Sequence, residues 1–307
     1  MDSVSVIRFD DAPGHLLRRA QQIHTEMWSR EVGDVVTGPQ YATLVAIAGW
    51  ENLDQKKAGE LASLDKSTVG GVVKRLESKG WVTRATSPLD ARRRILLLTD
   101  DARESLPAIS AAAEQVQRGL LRPLTSDEAG QLVTLLHSVA FAFEDKKSIG
   151  PAPVSAGPML ELDTTPGYLI RRAQQVHAAL WTSVFGGDLT SPQYAVLAAA
   201  AAAERIDQSQ IGSRASLDSS SVADIVTRLE ARGWLTRRKD EVDGRRMIVE
   251  LTLPATTAIR HLTRSVRDVQ HRLLSPLSDS DAASFMALMQ RVVNVEEDAP
   301  DSLVATA

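Results

Sequence analysis

The chain has 307 residues, no cysteine, 43% hydrophobic but only 4% aromatic side chains, and a formal net charge of −4. This excludes disulfides, thiolate metal sites and thiol redox sensing, and leaves a globular chain long enough for two ordinary domains. The longest apolar run, Tyr194 to Ala203, is too short to span a bilayer, and the N-terminus lacks the basic-then-apolar plan of a signal peptide, so a cytoplasmic protein is expected.

Pro13 opens a helix expected to reach about Arg30, because Leu16, Leu17, Ala20, Ile23, His24 and Met27 recur at helical spacing. A second helix is expected from about Pro39 to Trp50, with proline in the first turn, and a short one from about Lys56 to Ala62. After the turn Leu64-Asp65-Lys66, a helix from Ser67 to Ser78 turns Val69, Val72, Val73 and Leu76 inward and is stopped by Gly80. The segments WVTRAT and RRILLLT read as two strands joined by a turn at Pro88 and Asp90. Long helices follow over about 100–121 and 125–144, the second opened by Thr125 and Glu128 at capping-box spacing.

The whole series then returns 153 residues later without a gap. PGHLLRRAQQIHTEMW from Pro13 matches PGYLIRRAQQVHAALW from Pro166, and TGPQYATL from Thr37 matches TSPQYAVL from Thr190. A period this long is a duplicated domain rather than a solenoid repeat. Two domains are expected, 1–150 and 151–307, joined by the Pro- and Gly-rich stretch from Asp145 to Asp163. Extended, that stretch spans up to about 60 Å. The long helices near 13–30, 100–121 and 125–144, with their equivalents near 166–183, 253–274 and 278–296, are expected to pack into an internal pseudo-two-fold interface.

Helix, turn, helix and two-stranded hairpin make a winged helix-turn-helix. Such a module needs one helix whose exposed face carries short polar and basic side chains, to enter a major groove about 12 Å wide. In the first copy these are Lys66, Ser67, Thr68, Gly71, Lys74 and Arg75; in the second, Ser219, Ser220, Ser221, Asp224, Thr227 and Arg228. The hairpin tip needs a cation for the minor groove. Arg92 and Arg245 stand there, followed by Arg93 and Arg246, and Asp90 and Asp243 are placed two residues earlier to orient them.

On these motifs each copy resembles the MarR family of transcriptional regulators along nearly its full length. DKSTVGGVVKRLESKGW matches the recognition helix and SPLDARRRILLLT the wing, although the first wing arginine of the family is Ala91 here and Gly244 in the second copy. The resemblance implies a mainly α fold with small β wings. It implies also that two subunits of a usual homodimer are fused into one chain, an internal pseudo-dimer reading two half-sites of a duplex about one helical turn apart. It implies a repressor. In some members that sense aromatic acids, an Arg and a His of the first helix hold the ligand, and Arg18 with His24, and Arg171 with His177, are similar in type and position. Trp28, Tyr41, Trp181 and Tyr194 are candidates to line such pockets. The competing reading makes the histidines hydrogen-bonded core residues and the arginines interface residues, since Arg18 projects about 120° away from the face that carries His24.

The copies differ in charge. From Lys66 to Leu98 the net charge is +6; the matching window from Ser219 to Leu251 carries +1, with Asp224 in place of Gly71. Non-identical half-sites are therefore expected, with the first copy contributing more affinity. No metal-ligand spacing, phosphate-cradling glycine loop or activated nucleophile is present, so neither an enzyme nor a cofactor is expected. The alternative function is a winged-helix protein-interaction scaffold whose second copy has lost or reduced DNA binding.

Overall fold

The structure is a computed structural model and describes residues 6–143, 159–203, 205–241 and 243–294. Most of the joining stretch after Asp145 lies outside the described residues. The first copy forms α1 (Pro13–Glu31), α2 (Gly38–Gly49), α3 (Gln55–Leu61), α4 (Lys66–Ser78), β1 (Val82–Thr86), β2 (Arg94–Leu98), α5 (Asp100–Leu121) and α6 (Ser126–Ala140). The second repeats the order with α7 (Pro166–Phe185), α8 (Ser191–Ala201), α9 (Gln208–Ala215), α10 (Ser219–Ala231), β3 (Leu235–Lys239), β4 (Met247–Leu251), α11 (Leu253–Leu274) and α12 (Asp279–Val293). The fold is mainly helical, with two tandem winged helix-turn-helix modules. No helix of the described residues is long and apolar enough to cross a membrane.

Local chemistry sets the helix starts. Thr37, Thr125 and Thr190 close reciprocal capping boxes with Gln40, Glu128 and Gln193, and Asp54, Asp65, Asp207 and Asp218 cap the helices of the two helix-turn-helix motifs. Gly80 and Gly233 end the recognition helices with φ of 74° and 71°, a conformation that glycine adopts without steric cost. Each wing is an antiparallel pair, β1 with β2 and β3 with β4. A backbone bond from Leu96 to Leu53, and its counterpart from Val249 to Ile206, both 2.8 Å, pins each wing to the segment before the short helix of its motif.

The compact units are not the two sequence copies. Unit 1 consists of the described residues up to Arg19 together with Ala173–Gln290; unit 2 consists of Ala20–Arg172 and the described residues from Arg291 onward. The start of each copy thus belongs to the unit that holds the other copy's winged module, and the chain changes units inside α1, α7 and α12. In unit 2, α4 turns Val69, Val72, Val73 and Leu76 into a core with Trp28, Tyr41, Leu44, Leu96, Leu106 and Val116. Leu160 and Leu162 of the second copy's leading segment pack against that core. The segment arrives with its own hydrogen bond: Leu160 N–H donates to the Tyr41 hydroxyl at 3.4 Å.

Candidate nucleic-acid interface and effector cleft

In the first copy, Lys66, Ser67, Thr68, Gly71, Lys74 and Arg75 all lie on the exposed side of α4. The first turn is fixed by Asp65. Its Oδ1 accepts the Ser67 and Thr68 backbone N–H groups, both at 2.9 Å. The Ser67 hydroxyl donates to Oδ1 at 2.5 Å and the Thr68 hydroxyl to Oδ2 at 2.6 Å. These four donors, the two hydroxyls foremost, hold the Asp65 carboxyl well below the usual carboxylate range. The hydroxyl protons of Ser67 and Thr68 are thereby spent on the cap, which leaves their lone pairs to accept from a partner. Asp218 repeats this cap with the Ser220 hydroxyl at 2.5 Å and the Ser221 hydroxyl at 2.6 Å.

At the wing tips, the structure changes the role expected of the aspartates. Asp90 Oδ1 accepts the backbone N–H of Arg92 at 2.9 Å, and Asp243 Oδ1 that of Arg245 at 3.1 Å. The carboxylates shape the turn through its backbone; neither forms an ion pair with the arginine side chain. The second wing arginines, expected to meet DNA, each make an ion pair within the fold. Arg93 pairs with Asp54 at 2.5 Å, and Arg246 with Asp207 at 2.6 Å, so both tie the wing to the residue that caps α3 or α9. Arg92 and Arg245 remain exposed at the tips.

The charge difference between the copies becomes a difference in pairing. Among the described residues, Lys66, Lys74, Arg75 and Arg92 have no acidic partner within ion-pair distance, whereas Arg84 pairs with Glu77 at 2.7 Å. In the second copy, Asp224 takes Arg228 through both oxygens, at 3.1 and 2.9 Å. Arg237 pairs with Glu230, and Arg238 pairs with Glu250 at 2.7 Å. Ser219, Ser220, Asp224, Thr227 and Arg228 are exposed on α10 and Ser221 is half-buried. The second recognition surface therefore presents hydroxyls and a neutralised ion pair where the first presents free cations.

The pocket residues expected within one copy are divided between the units. Arg18 stands in unit 1 with His177, Trp181 and Tyr194; Arg171 stands in unit 2 with His24, Trp28 and Tyr41. Each arginine expected to hold a ligand thus falls in the same unit as the other copy's histidine, because the boundary between the units crosses α1 after Arg19 and α7 after Arg172. In unit 1, Phe9, His15, Arg18, Trp181, Tyr194 and Gln270 line a small open cleft of about 30 Å³.

The histidines expected to hold a ligand are hydrogen-bonded core residues. His24 Nε2 lies 3.2 Å from the Gln117 side-chain nitrogen, and Gln117 Oε1 accepts Gly167 N–H at 2.9 Å. His177, Gln270 and Gly14 repeat the chain at 3.3 and 2.9 Å. A Cβ added at Gly14 or Gly167 would collide with the facing imidazole. Burial, then the nearby Arg171 or Arg18, lowers both histidines to about 4. At neutral pH each ring is uncharged, so Nε2 accepts from the glutamine amide. Trp28 and Trp181 donate to the Val36 and Leu189 carbonyls at 2.7 and 2.6 Å. Tyr41 donates to Ser110 at 2.9 Å, and Tyr194 meets Thr263 at the same distance.

The family profile described as MarR matches residues 36–93 and 189–247, one match in each copy. The regulator HosA of Escherichia coli O111:H- is 33% identical over 125 residues, which are 41% of this chain and 92% of HosA. The chain belongs to the MarR family. It is similar also to the transcriptional repressor NicR of Pseudomonas putida, at 29% identity over 41% of this chain and 80% of NicR. Among solved structures, PcaV of Streptomyces coelicolor in complex with its natural ligand is 39% identical over 45% of this chain and 97% of PcaV, with a TM-score of 0.43. As a MarR protein the chain is a DNA-binding regulator and not an enzyme.

Sequence reasoning missed Gln117 and Gln270, the partners of the histidines, and His15 and Phe9, which line the cleft. The signal available was Pro-Gly at Pro13 and Pro166, kept in both copies where a helix start gains nothing from glycine. No periodicity signals that a glutamine 93 residues away bridges His24 to such a glycine.

Proposed function

We propose that this MarR chain is a cytoplasmic repressor that does with one chain what two subunits do elsewhere. The sequence copies 1–150 and 151–307 are its two readers, and the pseudo-dimer binds as a monomeric chain to one pseudo-palindromic operator with two non-identical half-sites. Lys66, Ser67, Thr68, Gly71, Lys74 and Arg75 read the major groove of the stronger half-site and Arg92 enters its minor groove. Ser219, Ser220, Ser221, Asp224, Thr227, Arg228 and Arg245 read the weaker one. Arg93 and Arg246, with Asp90 and Asp243, hold the wings in shape. The observation that carries the reading is that Lys66, Lys74 and Arg75 of α4 have no acidic partner among the described residues, set against the Arg228–Asp224 pair on α10 and the Arg238–Glu250 pair on its wing. A carboxylate at Asp224 suits a cytosine amino group but repels phosphate, which supports different half-site sequences.

A small aromatic acid releases the operator by binding beside Arg18, or beside Arg171, with Trp181 and Tyr194, or Trp28 and Tyr41, as the aromatic walls. Arginine meets a carboxylate with two parallel N–H donors. The effector shifts the equilibrium only through unequal affinity for the DNA-bound and released forms. The test is fluorescence anisotropy with duplex from the chain's own upstream region and unrelated duplex of equal length, titrated with salt. Tight, selective binding of one chain per duplex, lost on adding the acid, is expected. Equally weak binding to both duplexes removes the repressor reading and leaves the winged modules as protein docking surfaces.

A further inference from the structure

The two helix-turn-helix turns share an arginine anchor and differ in the residue beside it, and the cleft described above adjoins the turn that has His15. In unit 2 the turn between α3 and α4 contains Ser63 at φ 53°. The Tyr168 hydroxyl donates to Leu61 O at 2.9 Å and Arg171 to Ala62 O at 2.6 Å. Arg172 donates to the Ser63 hydroxyl at 3.1 Å and to Ala140 O at 3.1 Å, with its guanidinium 4.1 Å from the centre of the Phe141 ring. In unit 1 the turn between α9 and α10 repeats the left-handed residue, Ser216 at φ 49°. Arg18 donates to Ala215 O at 2.7 Å, as Arg171 does to Ala62.

The difference lies three residues before each arginine, where Tyr168 in unit 2 corresponds to His15 in unit 1. The Arg171 guanidinium lies over the Tyr168 ring, 5.5 Å from the ring centroid. His15 instead meets the edge of Arg18, accepting from its Nη2 through Nδ1 at 3.0 Å, and lines the cleft. The Arg18 Nε–H is buried without a hydrogen-bond partner among the described residues, and so is the Arg171 Nε–H, so the two sites differ in what stands beside the guanidinium and not in its free donor. An acid entering this cleft finds an unsatisfied donor on the guanidinium that also anchors Ala215, the last residue of α9. To reach Arg171, an acid must first displace the Tyr168 ring and break its bond to Leu61.

We propose that the chain takes one effector acid, at the Arg18 cleft of unit 1, and that the acid acts on the α9–α10 reading head of the second copy while the α3–α4 head of the first copy stays a fixed DNA anchor. This rests on the aromatic-acid reading above and adds to it where the acid binds, how many bind and which head responds. The strong, cation-rich half would hold the operator; the weaker half, where Asp224 already neutralises Arg228, would be the one that lets go. A carboxylate that takes Arg18 competes with the Ala215 carbonyl, immediately ahead of the Asp218 cap on α10.

The experiment is titration calorimetry of the full chain with 4-hydroxybenzoate and with salicylate, paired with hydrogen–deuterium exchange. Wild type is expected to bind one acid. His15→Tyr, which imports the residue of unit 2, is expected to lose that binding with its melting curve intact. Tyr168→His is expected to gain a second acid. Exchange is expected to change around Ala215–Asp218 and not around Ala62–Asp65. Two equivalent acids on wild type, undiminished binding by His15→Tyr, or an exchange change confined to Ala62–Asp65 overturns the one-site inference and leaves the aromatic-acid reading standing. No binding of either acid, with no change in exchange, overturns both.

Discussion

On the proposed reading Asp224 makes the two half-sites unequal, so removing it should tighten DNA binding. Its ion pair with Arg228 is exposed, with the two side chains 57% and 67% accessible, so losing it costs the fold no more than about 1 kcal/mol. The effect on DNA is larger, because Asp224→Ala both removes a negative charge facing phosphate and frees a positive one. At about 6 Å and an effective dielectric between about 20 and 80, one such charge is worth roughly 0.7–3 kcal/mol before screening. With salt screening, a gain of about 5- to 30-fold in affinity is expected. The plot of log affinity against log salt should steepen by about 0.9 for the added phosphate contact. The reciprocal change is Gly71→Asp, which recreates the pair in the first copy. A Cβ at Gly71 would stand 3.6 Å from Arg75 Nη2, an ordinary van der Waals contact, so the variant should fold and lose affinity by a similar factor. Anisotropy at three or more salt concentrations reads both numbers. An unchanged slope for Asp224→Ala, together with an unchanged affinity for Gly71→Asp, would show that these helix faces do not meet the phosphates.

The wing tips should differ in the same sense: Arg92→Ala is expected to weaken operator binding about tenfold and Arg245→Ala by clearly less, and equal losses in anisotropy would refute the asymmetry. Gly167→Ala and Gly14→Ala should each destabilise by about 1–3 kcal/mol, seen as a lower denaturation midpoint, because the added methyl meets a packed imidazole. His24 and His177, at about 4 when folded against an unfolded value near 6.5, bind more protons unfolded than folded between those limits. Stability should therefore be complete above about pH 6.5 and fall as pH drops toward 4, by at most roughly 3 kcal/mol for each histidine, as followed by urea denaturation. His24→Gln should flatten that slope. Arg93→Ala should act on wing order more than on salt slope, since its charge is already taken by Asp54.

What could be read ahead of the structure was what repeats locally. Apolar spacing placed α4 and α10, cap chemistry placed their starts, and Gly80 and Gly233 placed their ends, because each depends on neighbours a few residues away. The exposed positions of α4 followed from the same periodicity, since Val69, Val72, Val73 and Leu76 had to point inward. What failed to be legible was long-range pairing. Whether Arg93 faces phosphate or Asp54 is decided by a residue 39 positions earlier. Arg18 and His24, six residues apart, were read as one site because a repeat shows which residues correspond and is silent on which copy each one packs with. Two copies with the same pattern satisfy that pattern equally well when their leading segments are exchanged: Pro13–Arg19 and Pro166–Arg172 carry nearly the same side chains. Their differences, His15 against Tyr168 above all, then take effect in the unit that holds the other copy's reading head. A substitution in the first copy's leading segment therefore acts in the unit that holds the second copy's winged module. On the one-site inference the charge-poor head of the second copy answers to first-copy residues, and variants in Pro13–Arg19 should alter operator release at the second half-site rather than the first.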